Sequence, residues 1–200
     1  MGILDALLGR TKPVQANLDH LFGLASAGIT LEASESLVST GQGGVCFKPS
    51  VGASFAETEQ QLNDMLLTDS PAGGQVSAKL SEKEDAYGYR WVVVGASEFD
   101  TLVTQVHFVN STLQDNGYGP TLLCSVFGFA PKPAGSAPVG HASVYLVYLY
   151  KRGAFYPFVP TGAQKRDNEM ELRLKNELAS DLTIEPELDR WFPLWDLPVL

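Results

Sequence analysis

Residues 97–129 hold the two most clearly patterned elements of the sequence, a helix followed directly by a strand. Apolar residues in the first part recur three or four positions apart, which places them on one face of a helix. They are Phe99, Leu102, Val103, Val106, Val109 and Leu113. We predict that Ser97 caps the start of this helix and that Asn116-Gly117 ends it with a left-handed residue.

The strand that follows, residues 121–129, is apolar at both odd and even positions. A strand with two apolar faces has to be covered on both, so we predict that it is central and that the preceding helix covers one face. Residues 142–150 have the same pattern and are predicted to pair antiparallel with it. A turn at Lys151-Arg152-Gly153 then leads to a strand at 154–159, which Pro157 places at an edge because proline cannot donate to a ladder.

Residues ahead of this region predict two further helices and a hairpin. Asn17 is expected to cap a helix that buries an apolar face, and a second helix is expected over residues 54–67. The buried side chains predicted for these two helices are Leu18, Leu21, Phe22 and Ala25 in the first, and Phe55, Leu62, Met65 and Leu66 in the second. The Gly41–Gly44 run between two short apolar segments is typical of a hairpin turn. A phosphate-binding loop is the poorer interpretation, because it would need a different spacing of glycine and lysine.

The remaining elements are two strands and a final helix. Residues 75–80 and 87–94 are predicted to be strands that lead into the central helix. Asp167 is predicted to cap the last helix, whose inward residues would be Met170, Leu174 and Leu178. Glu171 is expected on the solvent side, where it would pair with Lys175 one turn later.

The predicted order, α-α-β-β-α-β-β-α-β-β-β-α, indicates an α+β fold with a mainly antiparallel sheet flanked by helices. We predict a short N-terminal helix or arm over residues 1–13 and a single domain over 14–200. From Gln75 onward the order of elements resembles that of type III secretion chaperones and YbjN-like proteins. In that resemblance, the helix at 54–67 is an insertion.

Composition excludes several classes of protein. The net charge of −9 and a pI of about 4.7 argue against a nucleic-acid-binding surface. No apolar run approaches the roughly 20 residues of a membrane-spanning helix. We therefore expect a cytoplasmic protein whose contact with the inner face of the membrane is at most peripheral. Cys46 and Cys124 lie in apolar runs and are interpreted as buried reduced thiols, with a disulfide left open.

No pattern of catalytic residues is present in the sequence. The three histidines have no metal-ligand spacing; they are His20, His107 and His141. Neither cysteine has an identifiable base, and the carboxylates are scattered. We therefore predict no catalytic residues, metal site or cofactor, and a protein that is not an enzyme. The alternative is an enzyme or small-ligand-binding protein with a pocket near Lys151, Arg152 and Asp167.

Aromatic side chains near the Lys151-Arg152 turn and in the C-terminal segment suggest a binding surface instead. Tyrosine, tryptophan and arginine are over-represented where protein interfaces gain most of their affinity. The candidate partner-binding residues are Lys151, Arg152, Phe155, Tyr156, Trp191, Phe192 and Trp195. For the C-terminal segment, the competing interpretation is that it covers one face of the sheet.

Several long blocks of the sequence resemble one protein family, the PspA-associated protein PspAB. These blocks are MGILDALLGRTKP, YGYRWVVV, VNSTLQDNGYGPTLLCSVFGF, YLVYLYKRGAFYPFVPTG with KRDN, and IEPELDRWFPLWD. The resemblance implies a link to the phage-shock, or envelope-stress, response. Its implied partners are PspA, a coiled-coil protein, and an HtpX-type membrane protease. It carries over no catalytic residues and no cofactor.

We predict a non-catalytic adaptor or chaperone-like module that binds a protein of the envelope-stress response. The alternatives are an enzyme or small-ligand-binding protein, and a peripheral membrane sensor that acts through residues 1–10. A homodimer is also left open, because the sequence contains no signal for oligomeric state.

Overall fold

The computed structural model describes residues 17–49, 55–69, 78–80, 88–132, 143–195 and 197–198. The α-helices in these ranges are α1 (Leu24–Glu35), α2 (Phe55–Asp69), α3 (Phe99–Leu113) and α4 (Asn168–Glu177). The strands of the main sheet are β1 (Leu37–Phe47), β2 (Ala78–Leu80), β3 (Arg90–Gly95), β4 (Leu122–Pro131), β5 (Val144–Leu149) and β6 (Ala154–Phe158). A small separate hairpin follows, formed by β7 (Pro160–Gly162) and β8 (Lys165–Arg166).

Within the described ranges, the main sheet has the strand order β2-β3-β1-β4-β5-β6, and each neighbouring pair is antiparallel. The α+β class with an antiparallel sheet flanked by helices is therefore confirmed. β4 lies between β1 and β5, as predicted for a strand with two apolar faces. The resemblance to secretion chaperones and YbjN-like proteins stays a prediction, and the N-terminal arm over 1–13 lies outside the described residues.

β6 is the last strand of the sheet, in agreement with the presence of Pro157. Its outer edge is bonded to a later segment of the chain. The Phe155 amide donates to the Thr183 carbonyl at 2.8 Å, and the Phe155 carbonyl accepts from the Glu185 amide at 2.8 Å. A single parallel bridge between Phe155 and Ile184 results. These bonds satisfy backbone groups that an open sheet edge would offer to another chain.

The first face of the sheet is covered by helices. α3 packs across β1 and β4, and its predicted stripe is buried, from Leu102 through Leu113. The Asn110 side chain donates to the Ser125 hydroxyl of β4 at 2.8 Å, a buried bond that joins helix and strand. α1 and α4 complete this layer, and α2 adds Leu62. Burial of apolar layers such as this one is the main source of stability in a fold of this kind.

The second face of the sheet is covered by the C-terminal segment. Trp191 and Leu197 are each 5 % exposed and close over a separate apolar cluster. The strand residues beneath them are Cys46, Cys124, Val126, Tyr145, Val147, Tyr156 and Phe158. The interpretation that this segment covers the sheet is thus confirmed for Trp191.

The start of the central helix differs from the prediction. Glu98, not Ser97, occupies the N-cap position, and no side-chain bond caps the helix there. The first turn closes instead through the Glu98 carbonyl, which accepts from the Leu102 amide at 3.0 Å. Ser97 is one residue too far from the helix to act as the cap. The stop signal is confirmed, because Gly117 has φ +90°.

The predicted hairpin at Gly41–Gly44 is wrong, since β1 is one continuous strand through these residues. Its register against β4 shifts between Ser39 and Gly43, which marks a bulge. A Cβ on Gly41 would lie 2.5 Å from the Ala96 carbonyl oxygen, and one on Gly43 would lie 3.0 Å from that of Val126. The glycines therefore allow a bulge and a close approach of neighbouring backbone, not a chain reversal.

The buried face of the first helix was also predicted incompletely. Asn17 is a cap, as expected, but it starts a 3₁₀ helix over Leu18–Gly23 that runs into α1. The buried residues are Leu21, Leu24, Ala27 and Leu31, while Phe22 is 50 % exposed and Ala25 is exposed. A 3₁₀ turn has three residues, so its phase differs from that of the continuous α-helix assumed. The side chains of Phe55, Met65 and Leu66 are not described.

Candidate functional site

The turn between β5 and β6 presents Lys151 and Arg152 to solvent. The amides of Arg152 and Gly153 both donate to the Leu149 carbonyl, at 3.1 and 2.9 Å, which fixes the turn. His20 Nδ1 lies 2.7 Å from the Gly153 carbonyl oxygen, so in the Nδ1–H tautomer it donates to the turn from the 3₁₀ helix. The tip is therefore held rigidly while its basic side chains stay outside.

Arg152 is bound to a buried carboxylate, Glu185. The Arg152 Nε donates to Glu185 Oε2 at 2.8 Å and its Nη2 to Oε1 at 3.3 Å, although the Arg152 side chain is 42 % exposed and that of Glu185 is 0 % exposed. The Glu187 amide also donates to Glu185 Oε1. The pKa of Glu185 is lowered, and the largest cause is the hydrogen bond from Arg152. Burial is the next largest influence and acts in the opposite direction.

Exposed apolar side chains follow Glu185 in the same segment of the chain. Glu187 is 3.8 Å from Arg152 and 2.7 Å from Arg190, so charges continue along the segment. Leu188 and Phe192 are 50 % and 60 % exposed. We call this region the turn surface, defined as Lys151, Arg152, Glu187, Leu188, Arg190 and Phe192. It combines apolar groups with charges, as protein-binding surfaces do.

The structure places only part of the predicted binding set on this surface. Phe155, Tyr156 and Trp191 are at most 5 % exposed, so these three side chains contact the interior. Their positions next to the turn suggested exposure, but β6 is covered on both faces. Phe155 faces the helices, and Tyr156 faces the C-terminal segment. Trp195 is partly buried against the same cluster.

Aromatic contacts hold the C-terminal segment on the sheet. The Trp191 ring stacks on Tyr156 with centroids 5.9 Å apart, and its Nε1 donates to the Glu185 carbonyl at 3.0 Å. The Tyr156 hydroxyl donates to the Phe192 carbonyl at 2.8 Å. Trp195 packs edge-on against Phe158 at 5.2 Å. The backbone near Phe192 is thus fixed although its own ring is exposed.

A second buried carboxylate, Glu171, corrects a prediction. It was expected at the surface beside Lys175, but it is 2 % exposed. Arg166 Nε donates to both of its carboxylate oxygens, at 2.9 and 2.8 Å, and the Val159 amide donates at 2.9 Å. Burial is the largest influence and raises the pKa of Glu171, while the hydrogen bonds from Arg166 and Val159 act in the opposite direction.

These two glutamates were missed for different reasons. Glu171, Leu174 and Leu178 are three and four positions apart, so the buried face of α4 includes Glu171, and this spacing was a usable signal. Glu185 lies in an irregular segment where no period applies. Its ion-pair partner Arg152 is 33 residues earlier in the chain, and sequence spacing does not relate the two.

The residues that the sequence analysis considered for metal binding or a pocket have the following surroundings. Among the described residues, no group of three histidine, cysteine, aspartate or glutamate side chains could hold a metal ion. His107 stacks on Phe22 at 5.0 Å, and His141 is outside the described ranges. Asp167, once a candidate for a pocket, caps α4 by accepting from the Met170 amide at 3.0 Å. No helix in the described ranges has the length and apolar character needed to cross a bilayer.

The fold and its surface define an α+β protein whose antiparallel sheet is covered on one face by helices and on the other by its own C-terminal segment. The family model of PspA associated protein B, PspAB, matches residues 1–199, and the chain belongs to this family. The family name links the chain to PspA as a protein partner. No curated protein and no solved structure matches the chain.

Proposed function

We propose that the protein is an adaptor or chaperone-like module that binds a protein partner of the PspA-type envelope-stress response and catalyses no reaction. Membership in the PspAB family supports the link to PspA. The observation that supports binding is the turn surface, where Leu188 and Phe192 remain exposed beside an ordered set of charges. On this proposal the protein acts in the cytoplasm, at most peripherally at the membrane.

The expected partner is a helix of a PspA-like coiled coil. A helix offers apolar side chains one turn apart, which suits two separate apolar anchors such as Leu188 and Phe192. The surrounding arginines and glutamates would select the orientation of the partner more than they would add affinity. An HtpX-type protease is an alternative partner, and self-association into a homodimer would use the same exposed groups.

The test measures binding of the purified chain to a purified PspA-like protein encoded by the same genome. The variant L188A/F192A removes both apolar anchors, and K151A is tested separately. The matched control is F22A/I29A, because Phe22 and Ile29 are 50 % and 72 % exposed but are not part of the turn surface. We expect L188A/F192A to weaken binding by about 30-fold or more, equivalent to about 2 kcal/mol, and the control to bind like the parent.

Other outcomes would redirect or reject the proposal. Loss of binding in F22A/I29A alone would move the interface to the 3₁₀ helix and α1. Absence of binding by the folded parent chain would reject the adaptor function and favour an enzyme or small-ligand-binding protein. Membrane contact through residues 1–10 is a separate prediction, tested by co-sedimentation of the chain with liposomes before and after deletion of that segment.

A further inference from the structure

The two cysteines of the chain face each other across neighbouring strands. Cys46 on β1 and Cys124 on β4 are direct partners in the antiparallel register. Both side chains belong to the cluster on the second face, and they are 1 % and 3 % exposed. Directly opposite residues in antiparallel strands have Cα atoms about 4.5 or 5.5 Å apart, and both values lie within the roughly 4.4–6.8 Å that disulfides span.

The pair lies near the ends of its two strands. Cys46 pairs with Cys124, but the next residue, Phe47, pairs with Leu122, so Leu123 is an extra residue in β4. Leu123 is 37 % exposed. The pair therefore lies beside a bulge and within two residues of the ends of β1 and β4. Strand ends open with a smaller free energy than the centre of a sheet, which gives a reagent access without global unfolding.

We propose that Cys46 and Cys124 form a redox site, a reversible cross-strand disulfide that fastens β1 to β4. The oxidant is a low-molecular-weight disulfide. One cysteine thiolate attacks it, breaks its S–S bond and releases one small thiolate; the second cysteine then attacks the mixed disulfide and releases the other half. The protein loses two protons and two electrons, and the small disulfide is reduced to two thiols.

The position of the two cysteines in the chain predicts that the disulfide stabilises the folded protein. The bond would close a long loop that contains α2, β2, β3 and α3, and closing such a loop restricts the unfolded chain more than the folded one. The same free energy must then appear twice, as a higher Tm of the oxidised protein and as easier oxidation of the folded protein. The two measurements are thus linked by one thermodynamic cycle.

The experiment equilibrates the full chain in buffers of reduced and oxidised glutathione, starting from each redox state, with and without urea. Free thiols are alkylated and the intact mass is measured, and peptide mapping identifies the bond. We expect the equilibrium constant for oxidation to be about 30- to 1000-fold larger in the folded chain than in the unfolded chain. The Tm of the oxidised chain should rise by roughly 5–10 °C and return to its original value on reduction.

Single variants C46A and C124A serve as matched controls. Each variant keeps one thiol and cannot form the intramolecular disulfide. Oxidised glutathione should therefore not raise the Tm of either variant. An equilibrium constant that is equal or smaller in the folded chain would overturn the proposal, as would a glutathione adduct or an intermolecular dimer as the main oxidised product. The ratio of the equilibrium constants for oxidation in the folded and unfolded parent chain tests the proposal even if a variant fails to fold.

Discussion

Glu185 and Glu171 show how two buried carboxylates in one small protein can respond oppositely to their surroundings. Arg152 and the backbone stabilise the charged form of Glu185, so its pKa is lowered. Burial outweighs the Arg166 contact at Glu171, so its pKa is raised. The first group favours folding when ionised, whereas the second favours folding when protonated.

The first prediction concerns Glu185 and acid. Because its pKa in the folded state is below the ordinary value of 4.5, its contribution to stability is present above about pH 4.5 and is lost as the pH falls through the folded pKa. E185Q removes this titration. We expect the free energy of unfolding of E185Q to fall less steeply than that of the parent below pH 4.5, measured by urea unfolding from pH 7 to pH 3.

The neighbouring glutamate provides the control for this comparison. Glu187 is 56 % exposed, so its ion pairs with Arg152 and Arg190 should add little to stability, and E187Q serves as the matched loss of one charge. The pKa shift of Glu171 has the opposite sign, and this residue is unchanged in both proteins. Its effect on the free energy of unfolding therefore cancels when E185Q is compared with the parent. Identical slopes for E185Q and the parent would show that the Arg152 contact does not stabilise the charged form.

At the scale of elements, β1 is where the sequence was most misleading. A run of three glycines in four positions resembles a turn by composition, yet the chain stays extended and pairs with strands on both sides. The reason is tertiary: Gly41 and Gly43 meet backbone from residues 96 and 126, far along the chain. Local propensity cannot report such a contact. The helix α3 was predicted well because its buried face has the helical period, and β4 and β5 were predicted well because they are apolar on both faces.

The second prediction tests this role of Gly41. Gly41 has φ +73°, and a Cβ there would lie 2.5 Å from the Ala96 carbonyl oxygen. G41A should therefore destabilise the fold by about 3 kcal/mol or more, measured by urea unfolding. Gly117 has φ +90° but open space around it, so G117A should cost only about 1–2 kcal/mol from backbone strain. Equal losses for the two variants would remove the close approach as the cause.

At the scale of the whole molecule, the candidate surface was only partly predictable. The turn and its basic tip were found from the sequence, because a charged turn between apolar strands has to reach solvent. The aromatic residues beside it were assigned to the surface, but Phe155 faces the helices, and Tyr156 and Trp191 belong to the cluster on the second face. Which of two adjacent aromatic side chains faces inward in an irregular segment depends on its contacts with the sheet, and no sequence period gives that.

The third prediction compares the adjacent residues Trp191 and Phe192. Trp191 is 5 % exposed and stacked on Tyr156, while Phe192 is 60 % exposed. W191A should destabilise the protein by about 3–5 kcal/mol, and F192A by no more than about 0.5 kcal/mol, both measured by urea unfolding. The Phe192 carbonyl still accepts from Tyr156 in F192A, since the backbone is unchanged. A large loss of stability in F192A would mean that the Phe192 ring supports the cluster on the second face.

The cover of the second face also has a consequence for the order of events during translation. Trp191 follows every strand of the sheet in the chain, so a ribosome makes the sheet before it makes the residues that close over it. Until then, one apolar face of a nascent sheet has no cover from this segment, and exposed faces of this kind promote aggregation. The newly made chain therefore passes through an interval in which the apolar residues of this face lack the cover that Trp191 and Leu197 give them in the folded protein.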